Sequence, residues 1–265
     1  MRKYWWLGGL AVGVAVIGLI ASAVWRYQGR ASSPGIAPTP LPVPQTAAIA
    51  DTFDFPLDPA RFGVLIPGQC GLPLVDTRFG AQNPALGNAG KCFVNLDGDH
   101  IPFSQLYHAG EDWLALNKRG RVSLGKAAGE PVHAVANGVV ESVTLMGYDG
   151  YVIIIAHTLP DGERVWSIYW HVAAVQVAEG EAVTRGQVLA SIHDRGLNSH
   201  LHWEMRTFAD GSALFPADSA GGRGTCNGHL TGVGYTWDDD PTRAMPEAWG
   251  YLNPTEFVKE RNCQY

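Results

Sequence analysis

The chain has 265 residues, 46% of them hydrophobic and 10% aromatic, enough for one sizeable packed domain with appendages. Its formal net charge is -6, and residues 1–30 hold Arg2, Lys3, Arg26 and Arg30 without an acid, so the remainder is more acidic still. An acidic body with scattered cations offers no electrostatic footprint for nucleic acid, and that class of partner is excluded.

Behind Arg2 and Lys3, Tyr4 to Trp25 form an uncharged apolar run of 22 residues, long enough for a membrane-spanning helix of about 20. Trp5, Trp6 and Trp25 suit the two interfaces. Residues 1–30 are therefore expected to be a single-pass anchor in the cell inner membrane, with the rest periplasmic or extracellular. Cleavage behind Ala21-Ser22-Ala23 would make the same chain secreted. Pro34, Pro38, Pro40, Pro42 and Pro44 mark residues 31–52 as an extended linker. The folded domain is expected over 53–265, beginning near Phe53.

Cys70, Cys92, Cys226 and Cys263 make an even number in an exported chain, which predicts two disulfides. Cys70–Cys92 and Cys226–Cys263 close the shortest loops. Without a C-x2-C pair, a cysteine zinc site is excluded. Asp97-Gly98-Asp99 hints at a calcium loop, but the position eleven residues after Asp97 is His108 rather than Glu, so a turn is the better reading.

From Pro131 the pattern is strongly β: Pro131 to Val143, Tyr151 to His157, Arg164 to His171, and Gln187 to His193. Gly and Asp-Gly signals separate these runs. With 32 glycines and 17 prolines, the spacing predicts a mainly β fold, an antiparallel sandwich or partly open barrel with long loops. Residues 208–248 read as a long irregular insertion. A short helix is expected from Pro254 to Arg261, with Asn253 as N-cap and Pro254 at its first position.

The chemistry gathers on four histidines and an aspartate. In Ser199-His200-Leu201-His202-Trp203-Glu204-Met205, apolar and polar residues alternate, so His200 and His202 share a strand face about 6.5–7 Å apart. Tyr107-His108-Ala109-Gly110-Glu111-Asp112-Trp113 offers an imidazole and a carboxylate four residues apart, with Gly110 allowing a bend between them. A catalytic zinc takes three N or O ligands and keeps one position open. His108, Asp112 and one of His200 or His202 make such a set. Tyr169-Trp170-His171 ends another predicted strand, leaving two histidines for proton transfer or oxyanion stabilisation. Glu111 is a tempting general base, but its place beside Asp112 on a strand points it elsewhere.

In order, H-A-G-E-D, G-E-P-V-H-A-V-A-N-G-V-V, Y-W-H and S-H-L-H-W-E over residues 105–206 resemble the lysostaphin/LytM-type zinc metallopeptidases. These have a duplicated hybrid motif fold and cut peptides of bacterial cell walls. The resemblance implies one Zn2+ ion held by His108, Asp112 and His202, with His171 and His200 as the catalytic histidines. It also implies peptidoglycan stem or cross-link peptides as substrate. Leu197-Asn198-Ser199 replaces the Gly-Pro-like turn common before H-x-H, which puts the shape of that cleft edge outside the family pattern. Two other readings compete. One is a non-catalytic module that binds wall or activates a separate hydrolase, which the full set of five side chains argues against. The other is a carrier domain around Val177 to Leu189, which would need a modifiable hairpin lysine that Lys126 does not supply.

Overall fold

The computed structural model describes residues 48–65, 77–83, 92–94, 100–209, 234–237, 240, 242 and 244–262. The apolar run, the proline linker, Cys70, Cys226 and Cys263 of the expected disulfides, Asp97-Gly98-Asp99 and most of the 208–248 insertion lie outside them. Among the described residues no helix is long and apolar enough to cross a membrane. All of them belong to one compact unit, Pro44–Tyr265.

The strands in chain order are β1 (Phe62–Val64), β2 (Cys92–Val94), β3 (His100–Pro102), β4 (Tyr107–His108), β5 (Glu111–Ala115), β6 (Pro131–His133) and β7 (Gly138–Leu145). They continue with β8 (Tyr151–Thr158), β9 (Arg164–Ala173), β10 (Ala182–Val183), β11 (Val188–Ile192), β12 (Leu201–Arg206), β13 (Tyr235–Thr236) and β14 (Tyr251–Leu252). The helix α1 spans Pro254–Asn262. Their pairings are antiparallel, as expected from short β-branched runs separated by turn residues. The main sheet runs β1-β5-β12-β9-β8-β7-β10, with β11 joined to β6 and β9, and β14 joined to β12. It does not close into a barrel. β13–β4 and β2–β3 form separate two-stranded ribbons.

Alternation along β12 sets the layer. Leu201, Trp203 and Met205 are buried in the hydrophobic core with Trp113, Ile153, Ile155 and Tyr169, while the residues between them form the other face. Trp113 and Trp203 meet edge to face at 6.1 Å, and Phe55 leans on both. The helix α1 is capped as the sequence indicates: Asn253 Oδ1 accepts from Glu256 N at 3.2 Å. It buries Phe257 and Val258, with Phe257 edge-on to Phe53 at 5.0 Å.

Several sequence expectations need correction. The run Pro131 to Val143 is two strands, because the backbone leaves the ladder between His133 and Gly138. Packing begins before Phe53, since Ala50 is buried and its N–H donates to Thr158 O. The 208–248 segment is not wholly irregular: it contributes β13 and runs into a 3-10 turn, Pro246–Trp249.

Candidate metal centre

β12 lies between β5 and β9, and its register decides what faces what. His202 stands directly opposite Asp112 on one side and opposite Trp170 on the other. Opposed residues share a sheet face, so His202, Asp112 and Trp170 all project away from the Trp203 layer. His108 arrives from β4, one bend before β5. At that bend a Cβ on Gly110 would lie 2.6 Å from Trp203 O and 2.9 Å from His202 Nε2, so only glycine lets the chain pass. β4 is fixed by Tyr235, which pairs with His108 across β13, and by His108 N donating to Ala81 O.

Three atoms converge there. His108 Nε2 is 3.0 Å from His202 Nδ1, His202 Nδ1 is 2.8 Å from Asp112 Oδ1, and His108 Nε2 is 3.3 Å from Asp112 Oδ1. Each offers a lone pair, and such a buried triangle needs a proton or a cation among its corners. Three ligands at zinc bond lengths of about 2.0–2.2 Å around a tetrahedral centre lie roughly 3.3 Å apart, so the donors present fit the ion. The electrostatics agree. Burial alone would raise Asp112, but His200 and His108 hold its carboxyl well below the usual range. Burial alone would lower His202, yet its bonds to Asp112 and Glu204 raise it to about 9, so the cluster draws positive charge.

His171 and His200 stand beside this triangle. His200 Nε2 is 3.5 Å from Asp112 Oδ1, and the rings of His171 and His200 meet edge to face at 4.9 Å. His200 Nδ1 bonds Asn198 O at 2.8 Å and His171 Nδ1 bonds Asp149 O at 3.1 Å. A carbonyl only accepts, so each Nδ1 carries the proton and each Nε2 holds the lone pair, that of His200 on the Asp112 side. Burial lowers both imidazoles; the charges of His200 and Arg195 lower His171 further, while Asp112 partly offsets the shift at His200.

The position of His171 is not the one alternation predicts. Tyr169 opposes Trp203 and faces the core, so a residue two further on should do the same. Instead β9 takes three steps, Tyr169 to Val172, where β8 takes two, Ile153 to Tyr151. His171 sits in that bulge at φ 60, and the extra residue turns its ring to the His200 side.

Glu111, the other carboxylate weighed from the sequence, falls away from the site, as do several aromatic and imidazole side chains of the same sheet. Glu111 faces the opposite direction, accepting from Trp113 Nε1 at 2.9 Å and Thr255 Oγ1 at 2.7 Å. Tyr169 is buried with its hydroxyl bonded by Ser167 Oγ and Val135 N. His157 is also core, bonded to Asn137 O and Ser167 Oγ. Trp113 and Trp203 are core residues, whereas Trp170 is half-buried with its ring 6.3 Å from that of His202. Missed at the sequence level were Glu204 and Arg206, although the two-residue period from His202 signals them. Tyr235, tilted on His108 with ring centres 5.5 Å apart, lies beyond the insertion, and no local pattern announces it.

Comparison with known proteins gives a family match and several distant structural likenesses. The description "Peptidase family M23" matches residues 118–216; the matched stretch contains His171, His200 and His202 and begins after His108 and Asp112. An uncharacterized protein of Haemophilus influenzae is 40% identical over 74 residues, covering 28% of this chain and 17% of that protein. A zinc-containing peptidase from Vibrio cholerae aligns with 21% identity and a TM-score of 0.36, over 59% of this chain and 37% of that one. The catalytic domain of the antimicrobial peptidase lysostaphin from Staphylococcus simulans aligns at 18% identity and a TM-score of 0.32, over 58% and 80% of the two chains. The chain thus spans under a fifth of the curated relative and about two fifths of the Vibrio structure.

Proposed function

We propose, from the match of residues 118–216 to Peptidase family M23, a zinc-dependent endopeptidase of the lysostaphin/LytM type that cuts stem or cross-link peptides of peptidoglycan. In this reading His108, Asp112 and His202 hold one Zn2+ ion, and His171 and His200 move the protons. The observation that carries it is the buried triangle of His108 Nε2, His202 Nδ1 and Asp112 Oδ1, with edges of 2.8–3.3 Å, beside His200 Nε2 and the His171 ring.

Zinc bound there supplies an acidified water, with a pKa of about 7, and a Lewis acid for the scissile carbonyl. The protein residues do the remaining work. His171 and His200 are neutral at pH 7, because burial depresses both, so either Nε2 can accept a proton. Once protonated, the same nitrogen donates to a developing oxyanion or to the leaving amine. Two bases with fixed Nδ1–H bonds avoid reorientation during transfer. Asp112 is the single carboxylate of the triad, so it would cancel only one of the two charges of a Zn2+ ion held there. The run Tyr4 to Trp25 supports placing this domain outside the cytoplasmic membrane, tethered by its own N-terminal segment.

The test is mass spectrometry of fragments released from purified peptidoglycan. Wild type should release muropeptides cut at an amide, lose this with a chelator, and recover it with zinc; His202→Ala should release none. A zinc-loaded wild type that cuts nothing, or cutting that survives both the chelator and His202→Ala, would overturn the proposal.

A further inference from the structure

We propose that Glu204, held in place by Arg206, is the positioning residue that fixes which nitrogen of His202 faces the site, and thereby sets its affinity for a divalent cation. The inference rests on His202 being a ligand. Along β12 the polar face carries His202, Glu204 and Arg206 at two-residue spacing, while Leu201, Trp203 and Met205 fill the core. Glu204 has no exposed surface and Arg206 has 2%. Carboxylate Oε1 lies 2.9 Å from His202 Nε2, and Oε2 accepts from Arg206 Nε at 2.6 Å and is paired with Nη2 as well. The guanidinium is packed against the rings of Tyr251 and Phe208, 5.0 and 5.3 Å from their centres.

The chemical consequence concerns the imidazole. A carboxylate can only accept, so when Nδ1 gives its lone pair to a cation Glu204 holds the remaining ring proton on Nε2. Nδ1 is the corner of the triangle, 2.8 Å from Asp112 Oδ1 and 3.0 Å from His108 Nε2. The ring has no room to swing aside. A Cβ on Gly234 would come within 3.0 Å of it, and one on Gly110 within 2.7 Å of Glu204 Cγ and 2.9 Å of His202 Nε2. A buried carboxylate without a counter-charge would itself be costly, and Arg206 supplies that charge from the same strand face. The arrangement is a carboxylate–histidine pair aimed at a cation from behind the ligand.

A purely structural ion pair would affect folding and leave metal affinity alone, which separates the two roles. The full-length protein, Glu204→Gln, and the double variant Glu204→Leu with Arg206→Met, which leaves no charge buried alone, are compared by competition for zinc with a chromophoric chelator. The NMR signal of the His202 ring N–H is followed in the zinc-loaded proteins, with near-ultraviolet circular dichroism reporting the fold. The double variant should bind zinc about 10–100-fold more weakly and lose the protected, downfield Nε2–H signal. Glu204→Gln, which keeps an acceptor but no charge, should fall between it and wild type. Unchanged zinc affinity in Glu204→Gln or in the folded double variant overturns the inference alone. A wild type that takes up no zinc overturns the ligand reading as well.

Discussion

His171 occupies left-handed backbone at φ 60, a conformation that costs an L-residue about 1–2 kcal/mol. That cost is tolerated because the bulge turns an imidazole from the core face to the site face. Glycine removes the strain and alanine does not. His171→Gly should therefore be more stable to urea than His171→Ala by about 1 kcal/mol; equal stabilities would remove the strain argument. The same scale separates the proposed ligands from the proposed bases. Asp112→Ala and His202→Ala should lose stoichiometric zinc by elemental analysis. His171→Ala and His200→Ala should keep it and lose about 10²–10⁴-fold in kcat. Zinc loss in His200→Ala would exchange the roles of His200 and His202.

Strands β8, β9 and β12 are each read on two faces, and the inward face carries polar groups as well as the apolar core. At the end of β8, His157 bonds Asn137 O and Ser167 Oγ and lies edge-on to Phe53. Burial pulls it down to about 4, against the opposing Asn137 bond. An imidazole whose folded pKa lies below its unfolded value of 6.5 is neutral when buried and takes up its proton more readily when unfolded. Its contribution is thus complete above about pH 6.5 and lost as pH falls toward 4, an effect of up to about 3 kcal/mol. Urea unfolding of the metal-free protein between pH 7 and 4.5 should show the fall, and His157→Gln should flatten it. A slope unchanged by that substitution would assign the effect to other groups. His171 and His200, also depressed, add to the fall with the same sign.

Across the whole domain, the three proposed ligands come from β4, β5 and β12, and His108 and His202 are 94 residues apart along the chain. An ion held by all three ties together strands that the sequence separates. It binds the folded state and not the unfolded one, so zinc at about 100 times its Kd should add about 2.7 kcal/mol of stability. Thermal unfolding with and without zinc measures this: wild type should shift upward and His202→Ala should not. A shift shared by both would mean that the ion binds elsewhere. The end of the 208–248 segment contributes to the same place, since Gly234 abuts His202 and Tyr235 pairs with His108.

The sequence by itself determined the antiparallel β character, the helix with its Asn253 cap, and the two-residue period that puts His202, Glu204 and Arg206 on one strand face. These are local properties, set by side-chain alternation and turn chemistry within a few residues. It also carried the motifs that select His108, Asp112, His171, His200 and His202. The register that sets Asp112 opposite His202, the bulge that re-aims His171, and the burial of His157 and Tyr169 were decided only by the tertiary structure. So was the return of Tyr235 to the site across the insertion. Each depends on which strand lies beside which, and pairing between segments as far apart as His108 and Tyr235 is fixed by the shared core rather than by any short stretch of sequence.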